Sequence, residues 1–107
     1  MNPHQVLADA SALIGERGAD YGGIEDNFSN IADIANIALG LNLTAFDIAV
    51  IMTAVKLARI RHSPAKGDNY LDGVNYLAFA HELRPAPYAE LTQEEEELVT
   101  QIINGLA

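Results

Sequence analysis

The chain predicts an all-α fold, a four-helix bundle with an additional C-terminal helix, and three observations predict it. Apolar residues recur at spacings of three and four in every long stretch, and no segment alternates as a strand does. Breaks rich in glycine and proline divide the chain into five such stretches. Half of the 107 residues are hydrophobic and 20% are charged, which supports one packed core within a single domain. With Phe 3, Tyr 4 and Trp 0, that core is to be built from Ile, Leu, Val and Ala.

The first helix is expected from about Pro3 to Glu16, with Asn2 as its cap and Pro3 at the position where a missing N–H costs nothing. Its apolar stripe is Val6, Leu7, Ala10, Leu13 and Ile14, and it should stop in a glycine-rich loop, Arg17 to Gly23. The second runs from about Glu25 to Leu39 and ends at Gly40, a favourable C′ residue. Phe28, Ile31, Ala32, Ala35, Ala38 and Leu39 should face inward, with Asp26, Asn30 and Asp33 opposite them. The third begins after Thr44, where Asp47 completes a capping box, and continues to about Arg61. Between Ile48 and Val55 only Thr53 is polar, which predicts the most buried helix of the bundle or a subunit interface. The fourth runs from about Asp68 to Leu83. One of its faces carries Tyr70, Leu71, Val74, Leu77, Ala78 and His81, and the other Asp68, Asp72, Asn75, Phe79 and Glu82. Residues 1–84 form the bundle. Residues 85–107 form a proline-bearing spacer and a last helix opened by the capping box Thr92 to Glu95, to pack on the bundle or on another subunit.

Six Lys and Arg against fifteen Asp and Glu leave a net charge of −9, which argues against binding nucleic acid. The chain has no cysteine, which excludes disulfides and thiol nucleophiles. No apolar run reaches the ~18 residues of a membrane span, so no membrane partner is expected and the protein should be cytoplasmic, in the host cell if phage-encoded.

Chemistry concentrates in three places. The loop Arg17 to Gly23 precedes a helix N-terminus, where backbone N–H groups attract anions; as a mere connection, Arg17 would cap or salt-bridge. Lys56 and Arg59 are neighbours on the apolar third helix, and four of the six cations (Lys56, Arg59, Arg61, Lys66) fall within eleven residues. Cations in so apolar a helix need carboxylates or a ligand anion, so the choice lies between salt bridges to Asp68 or Asp72 and a phosphate site. Asp68 and Asp72 are one turn apart, a spacing at which carboxylates share Mg²⁺; Asp26 is a further candidate, and a solvated acidic face is the alternative. His4 and His81 carry no reading, and Glu94 to Glu97 suit a helix N-terminus.

The strings Arg17-Gly18-Ala19-Asp20-Tyr21-Gly22, Asn27-Phe28, Lys56-Leu57-Ala58-Arg59 and Asp68-Asn69-Tyr70 with Asp72 and Tyr76 resemble a small family of uncharacterised phage and prophage proteins, over about Leu13 to Leu83. More distantly, the chain resembles nucleotide-modification-associated domains and the all-α, MazG-like nucleoside triphosphate pyrophosphohydrolases. Lys56 and Arg59 match the K-x-x-R element of that group, and Asp68, Asp72 and Tyr76 its later acidic helix. The earlier E-E-x-x-E helix is missing, with Asp26, Asp33 or Glu25 as the residues left to replace it. The resemblance implies Mg²⁺ as cofactor on Asp68, Asp72 and Asp26, with Lys56, Arg59 and Asp72 as the catalytic set. Arg17, Asp20, Tyr21, Gly22, Asn27, His62 and Tyr76 would then surround a nucleotide or other small phosphorylated ligand. The metal would activate water and bridge phosphate oxygens while the cations neutralise the leaving group. Two further readings stand beside this enzyme: a module that binds a nucleotide without chemistry, and a helical oligomer contacting a phage or host protein. The excess of apolar surface on the third and fifth helices predicts a homodimer or larger.

Overall fold

In a computed structural model, which describes residues 2–21, 23–85 and 91–106 and only the backbone at 17–21, the protein is an all-α bundle of four helices with a fifth at its C-terminal end. The helices are α1 (Pro3–Tyr21), α2 (Ile24–Leu39), α3 (Ala45–His62), α4 (Gly67–Glu82) and α5 (Gln93–Leu106). Contacts of α1 with α2, α2 with α3, α3 with α4 and α4 with α1 close the first four into a ring. Among the described residues no helix is long and apolar enough to cross a membrane.

The helix ends follow local chemistry. Asn2 Oδ1 accepts from the Gln5 N–H at 2.8 Å. At Thr44 the capping box is complete: Asp47 N–H donates to the threonine hydroxyl, and the Asp47 carboxylate accepts from the Thr44 N–H at 2.8 Å. Thr92 and Glu95 repeat it on α5. Gly40 has φ 67°, in the left-handed region, and both its N–H and that of Leu41 donate to the Asn36 carbonyl. The Asn36 side chain then clamps the α2–α3 turn, accepting from the Leu43 N–H at 2.7 Å and donating to the Leu43 carbonyl at 3.0 Å.

α1 departs from expectation. It continues through Arg17, Gly18, Ala19 and Asp20 to Tyr21, so the segment expected as a loop is helical as far as Tyr21, and Gly22 lies outside the described residues. A glycine inside a helix costs about 1 kcal/mol, and Glu16, Arg17 and Ala19, all strong helix formers, carry the helix across Gly18.

The core is centred on Phe28, Ala32, Ile48, Ala49 and Ala80, with Phe46, Met52, Tyr76 and Phe79 packed against it. The Phe28 ring stands 5.9 Å from Tyr76 and 6.4 Å, edge-on, from Phe79. Two expectations are corrected here. α3 is not the most buried helix: it buries Ile48, Ala49 and Lys56, whereas α4 buries Asn69, Leu71, Asp72, Asn75 and Ala80. A ring of four helices covers only one side of each, so an all-round apolar helix keeps an uncovered face. α4 turns inward a mixture of its two faces: on one Leu71 is buried while Tyr70 and Leu77 are exposed, and on the other Asp72, Asn75 and Phe79 turn in while Asp68 and Glu82 stay exposed. The aromatic packing of Tyr76 and Phe79 on Phe28 sets this rotation. On α1 Leu7 and Ile14, and on α2 Ile31, Ala38 and Leu39, are likewise exposed. No described residue of α5 is buried.

Candidate functional site

The candidate site forms where α3 and α4, the most closely associated pair of helices, pack together. Lys56 lies on the inner side of α3, four residues beyond Met52 and eight beyond Ile48, so it points at α4. There its Nζ meets Asp72 Oδ2 at 3.0 Å, with 11% and 8% of the two side chains exposed. Gly73, next along α4, lies against the stem of Lys56; a β-carbon placed there would be in ordinary van der Waals contact with Lys56 Cβ, at 3.6 Å. Asp72 makes a further interaction beside this ion pair. One turn to either side on α4 sit two more buried polar residues, Asn69 and Asn75. Asn75 Nδ2 donates to the Ala10 carbonyl of α1 at 2.8 Å, tying α4 to α1.

The sequence-predicted residues divide sharply. Lys56 and Asp72 are brought together as one of the expected salt bridges. Arg59 and Asp68 are exposed, and neither has a salt-bridge partner among the described residues. Arg59→Ala should therefore leave stability within about 0.5 kcal/mol of the parent in urea titration, and a loss of more than 1 kcal/mol would show a contact of Arg59 that this packing lacks. Tyr76 is half-buried and packs against Phe28 at the edge of the core. Asn27 and Asp26 are exposed on α2, and His62 is exposed in the last turn of α3. Arg17, Asp20 and Tyr21 lie on the last turns of α1, with side chains outside the described residues, as is Gly22.

Asn69 and Asn75 were not singled out from the sequence. Their signal was present, since 69, 72, 75/76 and 79 follow the three-to-four rhythm of one helix face that also carries Phe79.

Among the described residues no three His, Asp or Glu side chains gather where they could hold an ion. Asp72 already faces the Lys56 ammonium, and Asp68 and Asp26 face solvent on separate helices. A buried, closed Lys–Asp pair can orient helices and specify which faces meet. Here the ammonium and the carboxylate are occupied by one another, 3.0 Å apart and nearly buried.

The chain is similar to the "Gene 55 protein" of Mycobacterium phage D29, 29% identical over 83 residues, covering 77% of this chain and 55% of that protein. It thus spans about half the length of that relative. No solved structure matches. The segment that does match a family, residues 5–84, takes in all four bundle helices together with the Lys56–Asp72 pair, and on that match the chain belongs to the family described as "Domain of unknown function (DUF6378)".

Proposed function

We propose that this phage-type chain is a non-catalytic helical module that works by presenting apolar helix surface to a protein partner. One observation carries the reading: its polar centre is closed on itself, while its apolar surface is open. Lys56 and Asp72 are paired and buried. Val50, Ile51, Val55 and Leu57 of α3, by contrast, stand 37–60% exposed, and Ile34 and Ile37 of α2 are exposed at 68% and 86%. Surface of this kind on a small acidic protein supports a role in association.

The competing reading is Mg²⁺-dependent nucleotide pyrophosphohydrolysis, favoured by the meeting of Lys56 with Asp72 across α3 and α4. Incubation of the full chain with a panel of nucleoside triphosphates, with and without Mg²⁺, separates the two. The module should release no pyrophosphate, and its unfolding temperature should not respond to nucleotide. Mg²⁺-dependent release of pyrophosphate that is lost in Asp72→Asn would establish the enzyme instead. A nucleotide-dependent rise in unfolding temperature without hydrolysis would establish a binding module for phosphorylated ligands.

A further inference from the structure

We propose that the outer face of α3 pairs with the same face of a second copy of this chain, antiparallel, about a two-fold axis passing beside Ala54. This names the partner for the association reading above and rests on it.

The inner side of α3 carries Ile48, Ala49, Met52 and Lys56. The two polar residues of its middle, Thr53 and Lys56, are both satisfied within the bundle, Thr53 by donating to the Ala49 carbonyl at 2.8 Å and Lys56 by Asp72. The opposite side is therefore apolar for three turns, with Val50, Ala54 and Leu57 along its centre and Ile51, Val55 and Ala58 beside them, all exposed. Charge returns only at its ends, as Asp47 and Arg61.

Two features select a second copy, and this orientation of it. An antiparallel two-fold about Ala54 places Asp47 opposite the partner's Arg61 and Val50 opposite the partner's Ala58. Ala54 then meets itself. Opposite charges coincide at both ends, and the smallest side chain stands at the crossing point, where two helices approach most closely. Both charged ends are open to such pairing: neither Asp47 nor Arg61 has an ion-pair partner among the described residues, and Asp47 uses one carboxylate oxygen, Oδ2, for its cap. A parallel pair would set Asp47 against Asp47 and Arg61 against Arg61. The exposed apolar stripe of α5 is the other candidate to cover this face, but Gln93–Leu106 holds no Lys, Arg or His to meet Asp47.

The chain has no cysteine, so an introduced one is the sole thiol present. Ala54→Cys should oxidise to a disulfide-linked dimer. Val50→Cys should not, because its two copies are displaced by eight residues, ~12 Å along the axis, beyond the reach of a disulfide. Val50→Cys combined with Ala58→Cys should cross-link again. Light scattering on the unaltered chain should give twice the 11.5 kDa chain mass. Ala54→Glu, at an exposed position that the fold of one chain does not use, should halve that mass with helical circular dichroism unchanged. The proposal is overturned if the unaltered chain has a mass of 11.5 kDa at micromolar concentration, the result expected if α5 covers α3. It is equally overturned if Val50→Cys cross-links as readily as Ala54→Cys, or if Ala54→Glu keeps the doubled mass. Pyrophosphate release would remove the functional reading without touching this dimer, and a monomer would remove the dimer without touching the nucleotide result.

Discussion

Asp72→Ala should cost the fold about 3–5 kcal/mol, because it leaves the Lys56 ammonium buried without an acceptor. Chemical denaturation followed by helical circular dichroism measures this directly. Against a total stability on the order of 5–15 kcal/mol, the loss is a large share of the margin. Asp68→Ala is the matched control, one turn away on the same helix but exposed, and should stay within about 0.5 kcal/mol of the parent. The effect should also be asymmetric. Lys56→Met keeps an apolar stem in the space of the lysine chain, so it should cost less than Asp72→Ala, which strands the ammonium. A loss under 1 kcal/mol for Asp72→Ala would mean that Lys56 reaches water and that the pair does not organise the interface between α3 and α4. The result bears on function too, because any loss of binding in an Asp72 variant must first be separated from a loss of folded protein.

Phe28→Ala should be comparably severe, about 3–5 kcal/mol by the same measurement. Phe28 is 2% exposed and is the largest fully buried side chain among the described residues. Around it the core is short of adaptable volume. Ala32, Ala49 and Ala80 have no rotamers with which to fill a cavity, and the Tyr76 and Phe79 rings would lose the partner they pack against. Ile37→Ala on the same helix, at a side chain 86% exposed, should change little. A Phe28→Ala cost near 1 kcal/mol would place the centre of the core elsewhere.

The sequence by itself determined the number, order and most ends of the helices. Asn2, the Thr44–Asp47 and Thr92–Glu95 boxes and Gly40 act within four residues of themselves, so spacing alone predicts their hydrogen bonds. It also brought Lys56 within a short choice of partners. Only the tertiary structure decided which way each helix turns. α4 carries apolar side chains on both faces, and the balance is settled by Tyr76 and Phe79 packing on Phe28, a contact between distant parts of the chain. That rotation sends Asp72 inward to Lys56 and leaves Asp68 outside, and it presents Asn75 to the carbonyl of Ala10, 65 residues away. The same applies at Gly18, where glycine reads as a break but helix-forming neighbours on both sides carry α1 onward. Local hydrogen bonds depend on sequence separation, which a single chain displays. The facing of a helix depends on the sum of contacts with its neighbours, and that sum exists only once the bundle has closed.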